Sequence, residues 1–329
     1  MLNLNDSVVA TELSVIKDWS QPLLKLKSKY LLVWRYIYLC VLTAAFCVGV
    51  PGNLLVIFSI TKFKKLRKVA NILVINLAVF DLGVMCMNGM AILGGIFGEE
   101  FFASSSLCEI SGSICMVSCF GSLWSIMSIS VNRYVFVCHN SLYKIIFDLK
   151  FTVLFALSIW MVTMLIDSPN MWFIGYTKHE FIYYSLHCGF FATSDWWYNV
   201  FFYTGFAFVL PSTITALCYY SIWNSSNKMA KNFNAQRRLH QRQMMTSMIV
   251  IFCGLVISWS PLSLIIGFAG IFSFIEIPFE VLICAEIWAH LNSVMNFVVY
   301  GVTHSGFREA YIQVAHWLFP CCIRRKIYN

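Results

Sequence analysis

Seven long apolar stretches, separated by short polar segments, leave this chain few ways to fold. They cover residues 36–61, 69–98, 110–132, 151–166, 196–227, 244–274 and 278–303. Among them they carry only Asp81 in the second and Glu280 and Glu286 toward the start of the seventh. The fourth is the shortest and is read as continuing to Pro169. About 20 apolar residues suffice for a helix to cross a bilayer. In lipid, every backbone N–H and C=O must be satisfied within the segment, which favours helix. Of 329 residues 59% are hydrophobic and 12% charged, and the mean hydropathy is +0.73. Soluble domains carry about 25% charged residues. The fold class expected is an all-α membrane protein, a bundle of seven transmembrane helices.

The net charge of +8 does not point to nucleic acid, because of how it is distributed. Basic residues cluster in segments 62–68, 133–150, 228–242 and 308–326, while the segments between are sparse or acidic, as at Glu99-Glu100. That alternation is the positive-inside pattern. It places the basic segments in the cytoplasm, against anionic lipid, the N-terminus outside and the C-terminus inside, as in a multi-pass plasma-membrane protein. Lys17, Lys25, Lys27, Lys29 and Arg35 on the outer side run mildly against the rule. The first 20 residues are polar and show no cleavable signal, so the first span is read as its own signal.

Three regions result: an extracellular segment 1–33, the membrane domain 34–304, and an interfacial helix with a short cytoplasmic tail, 305–329. In the first, Asn5-Asp6-Ser7 is a glycosylation acceptor if extracellular. In the last, Phe307, Tyr311, Val314 and Leu318 recur at helical spacing opposite Arg308, Glu309 and Gln313, the pattern of a helix lying in the membrane interface. Cys321 and Cys322 follow beside Arg324-Arg325-Lys326. They read as palmitoylation sites, the alternative being two reduced thiols. Of 13 cysteines, most sit in apolar stretches as small hydrophobes. Cys108 and Cys188 lie on the expected extracellular side, where a disulfide is permitted.

Polar or helix-breaking residues punctuate almost every span: Pro51-Gly52-Asn53, Asp81, Arg133 within Asn132-Arg133-Tyr134, Trp160, Pro211 with Tyr219, Ser258-Trp259-Ser260-Pro261, and Asn292, Asn296 and Tyr300. Any one of them alone can be packing glue between helices. Arg133 stands where the third span meets water, with Asn132 where a carboxylate partner would be natural; an intramembrane Arg is costly unless partnered or in a wet cavity. Pro211 and Pro261 free backbone carbonyls and permit bends, and a bent helix with two packings is an element a ligand can bias.

Taken together and in this order, the pattern resembles rhodopsin-like (class A) G-protein-coupled receptors over about residues 36–320. The resemblance implies a disulfide between Cys108 and Cys188. It implies that Arg133, with Tyr134, holds the cytoplasmic ends closed and meets a heterotrimeric G protein when the sixth helix swings out. Trp259 and Pro261 would hinge beneath the ligand pocket, and Tyr219 and Tyr300 would stabilise the open state. Asp81, Ser122, Asn292 and Asn296 would converge on a sodium ion acting as an allosteric modulator. The alternative is a protonated or merely hydrogen-bonded Asp81. No other cofactor and no catalytic residue is expected.

Within that class the chain is similar to melatonin receptors and their orphan relatives. Val131-Asn132-Arg133-Tyr134, Ser168-Pro169-Asn170, Ser258-Trp259-Ser260-Pro261-Leu262, Leu291-Asn292-Ser293, Asn296-Phe297 with Tyr300-Gly301, and Phe307-Arg308-Glu309 carry the likeness. Asn170 then matches the side chain that bonds a methoxy group, and Phe190 the loop ring that stacks on an indole. Departures fall in the same pocket: Ala192 stands for an amide-binding Gln, Ala207 for a His, Ile266 for a small residue, and Leu255 for a Phe. Losing an amide partner costs about 1–3 kcal/mol if its mate stays buried. Cys115 occupies the place of the carboxylate that pairs amine ligands, and His290 that of the retinal-bearing Lys, so neither ligand class is expected. The ligand is read as small and neutral, with a peptide as the alternative. A transporter would show internal repeats, which the chain lacks. A metal or acid/base enzyme would need a third group beside Glu286 and His290.

Overall fold

The computed structural model describes residues 6–97, 105–168, 179–182, 187–190, 199–229, 235–271 and 277–318. Asn5, Asn170, Ala192, Cys321 and Cys322 lie outside them, and of Phe190 only its place in a strand is described. Seven helices are long and apolar enough to cross a membrane. They are α1 (Asp6–Lys62), α2 (Asn71–Phe97), α3 (Ser105–Cys138), α5 (Leu149–Ser168), α6 (Leu210–Met229), α7 (Ala235–Ile271) and α8 (Phe279–Thr303). A short helix α4 (Asn140–Ile146) follows α3, and α9 (Ser305–Leu318) follows α8. The strands β1 (His179–Ile182) and β2 (His187–Phe190) pair antiparallel, Phe181 opposite Cys188; this hairpin is a small departure from the all-α expectation.

Several boundaries differ from those read in the sequence. α1 runs unbroken through residue 33. Its approach, residues 23–32, is rich in Leu and Lys, both good helix formers, so a polar lead does not mean an irregular one. α3 passes Arg133 and ends at Cys138, because one charge does not break a helix. α5 is described as far as Ser168; Pro169, where the sequence reading ended this span, lies outside the described residues. α6 is preceded by an 11-residue π-helical stretch, Asn199–Val209, that leads directly into it at Pro211. Such wide turns cluster at functional places in helices.

Leu, Ile and Phe on the outer faces are left bare, among them Ile96, Leu165, Phe201 and Val302, each more than three-fifths exposed. A soluble monomer rarely tolerates so much apolar surface; in lipid it is the solvated side. Inside, one apolar cluster extends from Leu66 and Phe307 at one end to Cys115, Tyr203 and Ala207 toward the other. Close approach of helices rests on several glycines, two of which meet aromatic rings most closely. A Cβ on Gly121 would overlap the ring of Phe80, and one on Gly52 the ring of Phe297. Phe297 thus fits only because its neighbour on α1 has no side chain.

The last helix packs as an amphipathic element. Phe307, Ala310 and Val314 are buried while Arg308, Glu309 and Gln313 face out. Leu318, expected on the buried side, is exposed; the neighbouring Trp317 is the side chain that stacks on α1, at Phe58. The Lys65 Nζ donates to Glu309 Oε2 at 2.8 Å, joining the loop after α1 to α9.

Candidate functional site

Polar side chains meet at four levels of the bundle. At one end Cys108, on the first turn of α3, is joined by a disulfide to Cys188 on β2. The bridge pins the hairpin onto the helical bundle; both cysteines are buried.

Beneath it lie Cys115, Ala207 and Trp259, members of one buried cluster with Tyr203 and Leu255, and Ile266 packs against it. All four side chains singled out from sequence as a pocket thus belong to this cluster or pack against it. Pro261 lies within α7. Lacking an N–H, it leaves the carbonyl four residues earlier, that of Ile257, without its helical donor. The indole Nε1 of Trp288 on α8 donates to that carbonyl at 3.1 Å. The Thr204 hydroxyl, in the π-helical stretch, donates to the Ser263 carbonyl at 3.2 Å. Neighbouring helices thus grip α7 on both sides of its proline.

At the next level Asp81 is fully buried. Ser122 donates to its Oδ1 and the Asn296 Nδ2 to its Oδ2, each at 2.8 Å. Ser293 is a third hydrogen-bonding partner. Asn292, expected in this group, is buried without a partner for its Nδ2. Ser293, one residue further round α8, takes the place; a helix turns about 100° per residue, and the sequence alone does not fix which of two adjacent polar residues faces α2. Asn53 Nδ2 donates to the Ser293 carbonyl at 3.1 Å, tying α1 to the same point.

At the other end Arg133 lines a recess with Asn71, Tyr219, Tyr300, His304 and Phe307. The space open to water there is about 40 Å³, room for a few waters, since one needs about 10–15 Å³ on that measure. Among the described residues Arg133 makes no ion pair; the phenols of Tyr219 and Tyr300 line the recess with it. Tyr219 accepts a 2.9 Å bond from Ser130 on α3, and the Cys138 thiol donates to Ser225 Oγ at 3.2 Å, so α3 and α6 are joined twice. Tyr300 stacks on Phe307 of α9 at 5.2 Å. Tyr134 does not line this recess; its hydroxyl pairs with His139 Nε2 at 3.0 Å.

Sequence reasoning missed Ser130, Ser293 and the joint in which the Trp160 Nε1 donates to Asn76 Oδ1 and Asn76 Nδ2 to Ser125 Oγ, both at 2.9 Å. Small hydroxyls in apolar spans are the available signal, since they are rarely buried there without a hydrogen-bonding role.

Seven spanning helices, a bridge from the third to the loop before the fifth, and polar centres at Asp81 and Arg133 define a class of protein. Residues 52–300 match the 7 transmembrane receptor (rhodopsin family), and the chain belongs to it. It is 33% identical over 283 residues to the melatonin receptor type 1A-A of Danio rerio, covering 84% of this chain and 79% of that protein. It is 31% identical over 294 residues to the human melatonin receptor type 1B, covering 86% and 80%. Squid rhodopsin shares the fold at a TM-score of 0.72 and 22% identity, over 88% of each chain. These relatives are receptors, and this chain is a receptor-family protein rather than an enzyme.

Proposed function

We propose that the protein sits in the plasma membrane with its disulfide end outside, binds a small neutral ligand there, and activates a heterotrimeric G protein at its Arg133 end. The observation that carries this reading is the recess shared by Arg133, Tyr219 and Tyr300. It brings α3, α6 and α8 to one point beside α7, and it is too small to take a protein segment without opening. Outward movement of α7 about Pro261 enlarges it and presents Arg133. Trp259 lies two residues before that proline in the cluster that also holds Cys115 and Ala207, so a ligand pressing there biases the bend. The G protein finds Arg133 without a carboxylate to release first. Basal activity is therefore expected.

Melatonin is the first ligand to try, because the relatives are melatonin receptors. Ala207 and Ile266 give the pocket apolar side chains in place of a polar one and a small one, which favours a ligand less polar than an amide. Asp81, Ser122, Asn292 and Asn296, with Ser293 beside them, are proposed to hold sodium when the receptor rests. Cys321 and Cys322 are proposed as palmitate anchors for α9 and Asn5 as a glycan site.

The test is nucleotide exchange on a panel of purified G proteins, with the receptor in lipid nanodiscs and a ligand panel that includes melatonin and peptides. Exchange above the receptor-free rate, basal or ligand-driven, is expected for at least one G protein. No exchange on any of them sinks the reading; a response to peptides alone replaces the small-ligand part of it.

A further inference from the structure

Cys115, Cys119 and His290 converge inside the bundle, all three buried, with their Sγ and ring nitrogen atoms within 4.8 Å of one another. Cys115 and Cys119 are one turn apart on α3, so their thiols share a face; His290 reaches them from α8. Hydrogen bonds link Cys119 to Cys115 and Cys115 to His290. The Glu286 charge acts on His290 from one turn away, and that of Asp81 acts on Cys119 from the level below.

We propose that this trio is a binding site for a thiophilic divalent cation, Zn²⁺ above all, set between the ligand floor and Asp81. The donor set is right: two thiolates and an imidazole are typical zinc ligands, and soft sulfur excludes Mg²⁺ and Ca²⁺. The distances are right as well. Ligands around one tetrahedral zinc lie about 3.5–3.8 Å apart, given Zn–S and Zn–N distances of about 2.3 and 2.0 Å. A contraction of about 1 Å, within reach of small side-chain adjustments, therefore closes the site. The charge also suits the place. Two thiolates, a neutral imidazole and Zn²⁺ sum to zero, which an apolar interior tolerates far better than an unpaired ion. Binding releases the two thiol protons to solvent; no bond to carbon changes and no redox partner is needed. Three protein ligands leave a fourth position for water or for a donor on the extracellular ligand. Because the metal would tie α3 to α8, its occupancy would be a second input to the receptor, independent of which ligand or G protein it uses.

The experiment uses the full-length receptor in nanodiscs, stripped of metal and titrated with Zn²⁺, with bound metal measured by elemental analysis. Wild type is expected to retain about one zinc more per receptor than C115A, C119A or H290A. The lipid-facing thiols Cys40, Cys47, Cys86, Cys253 and Cys284 are common to all and cancel. Co²⁺ gives the independent readout: thiolate-to-cobalt charge-transfer absorption is expected in wild type, and its loss in C115A and C119A. If a single alanine variant does not fold, C115S and H290Q serve in its place, being closer in shape. Equal zinc in wild type and folded variants, or cobalt bound without charge-transfer absorption, overturns the proposal. Failure here leaves the G-protein reading untouched, since nucleotide exchange is not the readout.

Discussion

The Arg133 end and the disulfide end of the bundle are held together by different means. Toward Arg133, side-chain hydrogen bonds cross from helix to helix: Asn53 to α8, Asp81 to α3 and α8, Asn76 to α3 and α5, Ser130 to α6, Cys138 to Ser225. Toward the disulfide, among the described residues, Trp259, Tyr203, Ala207 and Ile266 share one apolar cluster, whose polar company is the Thr204 and Trp288 bonds to backbone carbonyls of α7 and the Cys115, Cys119 and His290 trio. In lipid there is no hydrophobic force to join helices, so polar complementarity and close packing must do so. Hydrogen bonds demand particular partners at particular angles, whereas apolar contacts accept many shapes. One half is therefore specified by pairing and can be switched between discrete arrangements; the other is specified by volume and can change its ligand by changing side-chain size.

The largest effect expected from this contrast lies at Arg133. Among the described residues, Arg133→Ala removes the one formal cation lining the recess and breaks none of the interhelical hydrogen bonds named above. Nucleotide exchange should fall to the receptor-free rate, while surface level and thermal midpoint stay at wild-type values. If exchange persists at more than about a tenth of wild type, a loss of less than about 1.4 kcal/mol, Arg133 is not the contact that transmits the signal. The switching role then belongs elsewhere in the polar half.

A second substitution asks whether close packing matters as much as pairing in the polar half. Gly52→Val places branched carbon where the Phe297 ring lies. Overpacking of this kind costs about 1–3 kcal/mol, so the melting temperature of the purified receptor should fall. Phe297→Ala in the same chain should restore most of it. A melting temperature unmoved by Gly52→Val would mean that α1 and α8 part easily, and that the Asn53 bond alone holds them.

These pairings show which parts of the molecule can be read from sequence. The seven spans are legible because length and hydropathy are local properties, and Arg133 and Asp81 stand out because a charge among apolar residues is conspicuous. The choice of Ser293 over Asn292 is not legible, because it turns on helix rotation. The Gly52 and Phe297 contact joins residues far apart in the chain, and neither is unusual alone. Of the thiol and imidazole trio, His290 stands out in the sequence as a titratable residue in an apolar span, but its meeting with Cys115 and Cys119 of another helix is not legible there, because it depends on how α3 and α8 pack. Glu286, which drew notice as the neighbour of His290, proves to stand beside the cluster rather than in it. The hairpin β1–β2 was missed because short strands in a loop have too few residues for an alternating pattern to emerge.

The smallest effect expected is at the rim, where the polar half meets water. The Lys65 ammonium holds the Glu309 carboxyl below its ordinary range. Both side chains are more than half exposed, so salt screens the pair and its worth is small. A carboxyl depressed on folding adds stability that is complete above its unfolded value and is lost as pH falls through its folded one. Wild type and Glu309→Gln should therefore differ slightly in melting temperature near neutral pH and at low salt. The gap should close on acidification, and close again in concentrated salt at neutral pH. A gap that survives acid would mean that Glu309 supports α9 through packing rather than charge. The rim would then resemble the disulfide half, held by shape, and the division between the two halves would lie deeper in the bundle, near Tyr300 and Phe307.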